Sequence, residues 1–252
     1  MTIALVHGVP ETADIWTALI EELARSEMEA EIVTLSMPGF GAPLPDGFDC
    51  SFDGYLAWLA EEVAALSGPV DLVGHDWGGI LTVRLAMERP ELIRSWTSDV
   101  VGVYDPSYKW HDLAQAWQTP KLGEQTVGMM AAAPPAMKAA QLVGATMPED
   151  VAAHVAAAMN ETMAAAILPL YRSAAQPAMA TLGEGLEAAA ARPGLAIIAT
   201  EDAYTGGEEP GRRAAARAGA AVEVIEGQGH WWMANEPKRG AEIIERFVAG
   251  LS

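Results

Sequence analysis

The sequence predicts an α/β protein, a parallel sheet of about six strands covered by helices and carrying an inserted helical lobe. Three observations predict it. Short β-branched or apolar runs alternate with stretches of helical period, one long segment holds no strand pattern, and an apolar strand runs through a glycine-bracketed turn straight into a helix. The strand candidates are Ile3–Val6, Glu31–Leu35, Val70–Val73, Ile93–Ser98, Leu195–Thr200 and Ala221–Ile225. Helical period fills 14–26, 52–66, 79–88, 208–218 and 236–250. At 252 residues the chain suits one core with an insertion.

The alternation stops between Tyr104 and Leu186. That stretch is rich in Ala and Met and carries Pro106, Pro120, Pro134, Pro135, Pro148, Pro169 and Pro177, which predicts helices cut by prolines. The predicted division is a first core part at 1–103, a helical cap at 104–186 and a second core part at 187–252. The Ala-rich tract 131–166 reads as packed helix, because its apolar content is high and its charge very low.

Composition excludes several roles. With 34 acidic and 15 basic residues the formal charge is −19, so no basic surplus exists to displace counterions from nucleic acid or to hold anionic lipid. A single cysteine, Cys50, excludes an internal disulfide framework and a Cys-based zinc site. The start at Met1 lacks a positive segment and reaches His7-Gly8 too early for a signal peptide, and proline, glycine and charge interrupt every apolar run. A cytoplasmic protein, with a homodimer as one arrangement, is the expectation.

The chemistry is read from four places. In Val73-Gly74-His75-Asp76-Trp77-Gly78-Gly79, the glycines allow a strained strand-to-helix turn that pushes Asp76 outward, and the helix start supplies backbone N–H groups. A serine at such a turn needs a base, whereas a carboxylate is already ionised at neutral pH and can displace a leaving group from saturated carbon. His230, in Gly227-Gln228-Gly229-His230, follows the last strand and suits a general base for water. Asp202, after the penultimate strand, suits the acid that orients it; Asp99 is the rival. The turn His7-Gly8-Val9-Pro10 would leave the Val9 N–H free, with that of Trp77, to form an oxyanion hole. His7 is expected to brace that turn, and His75 to point away from the substrate.

This order of motifs resembles the α/β-hydrolase fold, and Gly-His-Asp-Trp-Gly-Gly resembles its epoxide hydrolase and haloalkane dehalogenase branch, over nearly the whole chain. The resemblance implies Asp76 as nucleophile, His230 as base, Asp202 as acid and Val9 and Trp77 as oxyanion donors, with no cofactor and no metal. It also implies that the two leading strands common in the fold are missing. Tyr171-Arg172 resembles the Tyr-Arg pair of epoxide hydrolase caps, which makes Tyr171 the proton donor to a leaving oxygen. Leu113 stands where the branch has its first cap Tyr or halide-binding Trp; Trp117, or Trp110 on the same face if the segment is helical, would substitute. Val9 replaces the halide-binding Asn of many dehalogenases.

The expectation is therefore a hydrolase acting on a small apolar substrate and water through an Asp76 alkyl ester, foremost an epoxide hydrolase giving a diol. A carbon–halogen hydrolase is the alternative, and a non-catalytic ligand-binding protein on the same fold is the reading from another class.

Overall fold

The computed structural model describes residues 1–26 and 28–251. In chain order, β1 (Thr2–Val6) leads through a short 3₁₀ turn to α1 (Thr17–Leu23) and β2 (Glu31–Leu35), then α2 (Phe52–Ala65), β3 (Val70–Gly74), α3 (Trp77–Glu88) and β4 (Ser95–Ser98). Six helices follow before the next strand: α4 (Asp112–Gln118), α5 (Leu122–Ala132), α6 (Pro135–Gly144), α7 (Glu149–Ala158), α8 (Glu161–Ser173) and α9 (Ala178–Leu182). The chain then closes with β5 (Gly194–Ala199), α10 (Glu208–Arg217), β6 (Ala221–Ile225), α11 (Trp232–Asn235) and α12 (Pro237–Ala249).

The six strands pair in parallel in the order β2-β1-β3-β4-β5-β6. Strands buried on both faces are mostly apolar, as β1 and β5 are; β3 is the same apart from Asp71, whose buried carboxylate accepts hydrogen bonds from the Arg94 guanidinium and the Ser95 hydroxyl. The edge strands β2 and β6 keep exposed or half-exposed positions. Alternate residues face two separate cores: Ala4, Val6 and Leu72 pack with α2, α3 and α10, whereas Ile3, Leu5 and Val73 pack with α1 and α12.

Expected and observed elements differ at two instructive places. The fourth strand begins at Ser95 and not Ile93, because Ile93 closes a 3₁₀ turn onto Pro90. Pro169, expected to end a helix, lies inside α8. Burial of Ala166, Ile167, Leu168, Leu170 and Tyr171 around it offsets a helix-interior proline's cost of about 3 kcal/mol. No single helix among the described residues is long and apolar enough to cross a membrane; α7 and α8 meet that test only together, and they are bent by 90°.

All strands end at one edge of the sheet, and the order reverses between β1 and β3. The crevice beyond strand ends at such a reversal is where α/β proteins bind ligands. The loop after β1 and the turn after β3 meet there with almost no spare room. A Cβ added at Gly78 would come 2.3 Å from the Val6 carbonyl oxygen, and one at Gly8 2.4 Å from the Asp76 Cβ. Since backbone opposes it, Gly78→Ala is expected to cost about 1–3 kcal/mol by overpacking. A thermal melt should show Tm several degrees lower, and an unchanged melt would contradict the packing described.

Candidate active site

The turn after β3 holds Asp76 at φ 49°, a positive value rare for a residue with a Cβ. Gly74 makes that turn possible, because a Cβ there would meet the Gly78 carbonyl at 2.3 Å. The Asp76 carboxylate therefore stands at the head of α3, where Oδ1 accepts the Val9 N–H at 2.9 Å. Its other oxygen lies 3.9 Å from His230 Nε2, too far for a direct hydrogen bond. The Val9 donor is thus in place. The Trp77 amide opens α3 and makes no hydrogen bond to Asp76 in this geometry.

His230 sits in the loop after β6, and its Nδ1 is 2.7 Å from Asp202 Oδ2. Asp202 also accepts the Tyr204 N–H at 2.8 Å, which fixes the carboxylate. Burial opposes the charge on both groups, yet their mutual attraction prevails: the Asp202 carboxyl is held below its ordinary range, and the His230 imidazole is raised above its own. Burial drives the Asp76 carboxyl up, His230 and His75 draw it back, and it settles at about 6.

The rival acid, Asp99, does something else. Its Oδ2 lies 2.5 Å from His75 Nδ1 and accepts the Trp232 indole N–H at 2.7 Å, while Oδ1 accepts the Asp76 amide at 3.2 Å. His75 Nε2 lies 3.3 Å from Glu11 Oε1, which in turn accepts the Trp231 indole at 2.6 Å. A second buried chain, Asp99–His75–Glu11, thus runs beside the first, with the His75 and His230 ring centroids 4.4 Å apart. Burial alone would make His75 neutral, but Asp99 and Glu11 outweigh it and raise its pKa well above the ordinary value. Glu11 is held down at about 2, against its own burial, chiefly by His75. An imidazolium at His75 also disfavours a second proton on His230, so it keeps the candidate base closer to its neutral form.

Glu11 is the residue that sequence reasoning missed. It is buried, its Oε2 has no hydrogen-bond partner, and it lines the same cavity as Asp76 and His230. The one signal available was an acidic residue directly after His-Gly-x-Pro, in a loop already assigned to the site. Ligand atoms of Glu11, His75 and His230 lie within 4.8 Å of one another, a spacing that suits a metal. The donor chemistry does not fit one. His75 as an imidazolium spends both ring nitrogens on carboxylates, and Glu11 Oε1 is already engaged by Trp231.

A cavity of about 540 Å³ opens over Asp76. Val9, Glu11, His230 and Trp231 line its floor, and Leu113, Trp117, Met129, Met137, Leu142, Met159 and Tyr171 from the helices between β4 and β5 line its roof. Tyr171 is brought to the site as expected. Its ring packs edge-on against Trp77 at 5.0 Å and Trp117 at 4.7 Å, and its hydroxyl is 3.4 Å from the Val9 carbonyl. Burial and the nearby Asp76 charge raise its pKa well above 10, so it stays protonated. Trp77 is fully buried with no well-formed partner for its indole N–H, which acts toward the Tyr171 hydroxyl.

The two candidate tryptophans separate. Trp117 lines the cavity. Trp110 does not: α4 begins only at Asp112, capped by His111, so Trp110 precedes the helix and shares no helical face with Trp117. It stacks on Trp77 at 5.5 Å and donates its indole N–H to the Ala174 carbonyl, which makes it packing behind the site. His7 braces the first turn as expected, donating from Nδ1 to the Gly8 carbonyl and accepting the Met37 N–H at Nε2.

Known proteins resemble this chain in the following ways. The sequence profile of the alpha/beta hydrolase family matches residues 3–243. Among curated proteins, the (E)-2-((N-methylformamido)methylene)succinate hydrolase of Acinetobacter baylyi is 30% identical over 93 residues, 36% of this chain and 34% of that protein. The pimeloyl-[acyl-carrier protein] methyl ester esterase of Aeromonas hydrophila is 37% identical over 95 residues, 37% of this chain and 35% of that protein. The match thus spans about a third of each curated relative's length. Among solved structures, a loop variant of a haloalkane dehalogenase from Bradyrhizobium elkanii superposes with a TM-score of 0.74 at 16% identity, covering 99% of this chain and 89% of that one.

Proposed function

The chain belongs to the alpha/beta hydrolase family, and from that premise we propose that it hydrolyses a bond at saturated carbon through an alkyl ester of Asp76, foremost by opening an epoxide to a diol. The observation that carries the reading is a carboxylate at the strained turn, bonded to the Val9 amide and facing a histidine already oriented by Asp202.

An Asp76 oxygen attacks an epoxide carbon, the ring C–O bond breaks, and the leaving alkoxide takes the Tyr171 proton. His230 then removes a proton from water as the oxygen adds to the ester carbonyl. The oxyanion formed there accepts hydrogen bonds from the Val9 N–H and from the Trp77 N–H, which is free to donate. Collapse expels the diol and restores the Asp76 carboxylate, and the proton gathered from water returns the tyrosine to its starting form. Glu11, whose Oε1 lies 3.9 Å from His230 Nε2 and whose Oε2 has no hydrogen-bond partner, would hold that water.

A second reading, carbon–halogen hydrolysis, is favoured by Trp117, which lines the cavity, and by the buried Trp77 indole N–H behind it, which has no hydrogen-bond partner. Such donors stabilise a departing halide as Tyr171 does an alkoxide. The two readings share Asp76 and differ in leaving group, so a panel of epoxides and organohalides assayed side by side for diol and halide tests them. Diol formation supports the first and halide release the second; binding without either product supports a ligand-binding protein.

The pH dependence follows from Asp76. Only the carboxylate attacks, and its pKa is raised to about 6. The acid limb of kcat/KM is therefore expected near pH 6, falling about tenfold per unit below it. A limb near pH 4, the ordinary range of a carboxyl, would show that Asp76 is not the group that must ionise.

A further inference from the structure

Between Lys121 and Arg172 the sequence carries one basic residue of the Lys or Arg type, Lys138. It lies on α6, flanked by Met137 and small residues, where an amphipathic surface helix would turn a lysine to solvent. The fold does the reverse. Met137 is 55% exposed and Lys138 only 5%. The lysine is directed inward and lines the cavity that holds Asp76, where it is the one Lys or Arg among the described lining residues.

The ammonium has three donors. One is used by the Met159 carbonyl, 2.6 Å away at the C-terminal end of α7, where the helix dipole favours a cation. No carboxylate among the described residues pairs with it, in a protein that has 34 acidic residues and ties many of its arginines to them. Leu142, Met137 and Met159 line the same cavity and offer no charge to balance it. The acidic lining residues, Glu11 and Asp76, belong to the floor.

We infer that Lys138 is a specificity-determining residue and that the substrate carries a carboxylate, held by the ammonium under the roof while an apolar segment places the reacting carbon at Asp76. A single point charge balances a monoanion. The floor carboxylates repel the same group, so the cavity also sets which end of the substrate enters first. In a chain of formal charge −19 the overall field repels an anion, and a cation inside the cavity offsets that repulsion locally. The assignment of ends rests on the reading of Asp76 as nucleophile.

The alternative role for Lys138 is to cap α7, which would affect stability but not discriminate ligands by charge. The test uses hexanoate and 1-hexanol, matched in chain length and unable to form an ester at Asp76, with binding measured by calorimetry. The wild type is expected to bind hexanoate about tenfold or more tighter than 1-hexanol, Lys138→Arg to keep that preference, and Lys138→Met to bring the ratio to about one. If Lys138→Met fails to fold by circular dichroism, Lys138→Gln gives the same comparison. A wild type that prefers 1-hexanol, or a ratio unchanged in the variant, overturns the inference. Failure of the Asp76 chemistry would appear separately, as no covalent mass on Asp76 when the His230→Gln protein meets either 5,6-epoxyhexanoate or 6-bromohexanoate.

Discussion

Replacing Asp76 with Asn is expected to lower kcat by about four orders of magnitude or more while leaving the fold intact. The amide matches the carboxylate in shape, and its oxygen can still accept the Val9 N–H. Asn also tolerates the positive φ of 49° better than most residues. The substitution therefore removes the carboxylate's charge with little change in packing, and the loss reports on chemistry. A melt within about 2 °C of the wild type, with product formation at background, is the expected pair of results. Retained turnover would move the nucleophile elsewhere.

His230→Gln should divide the reaction in two. The carboxylate needs no base to attack, so the first half proceeds; water is then left without an acceptor for its proton, and the ester accumulates. Intact-mass spectrometry should find close to one alkyl adduct per chain, and a peptide digest should place it at Asp76. The substitution has a second consequence with a definite sign. The His230 charge is the main force holding the Asp76 pKa down against burial. Without it that pKa rises, so adduct formation in the variant should need higher pH than turnover in the wild type.

How much of this was legible in the sequence divides along physical lines. The strands are legible as short apolar or β-branched runs between turn residues, and all six lie within two residues of the expected ends; the polar β4 is the least legible, and its expected start, Ile93, is two residues early. The glycines around Asp76 were readable because a residue with a Cβ at Gly74 or Gly78 meets backbone at 2.3 Å, leaving few alternatives for that turn. His230 and Asp202 follow strand ends, so topology alone brings them to one edge. Glu11, His75 and Asp99 also follow strand ends, yet their pairing depends on which way each side chain turns within a loop, and no periodicity encodes that. Trp110 illustrates the same limit at a helix boundary. Counting three before and four after Leu113 holds only inside a helix, and α4 starts two residues too late. Lys138 was hidden for the opposite reason: a lysine in an amphipathic helix is ordinarily turned to water, and only the packing of α6 against α7 reverses it.

The ester at Asp76 is the central claim, and a single turnover in H₂¹⁸O with enzyme in excess over substrate tests it most directly. Water attacks the ester carbonyl in this account, so the product keeps an oxygen from Asp76 and the heavy atom enters the carboxylate. The account predicts unlabelled product oxygen from the attack and a mass gain of about 2 Da on the Asp76 peptide. Labelled product from that first turnover, with no gain at Asp76, would mean that water attacks the substrate directly and would contradict it.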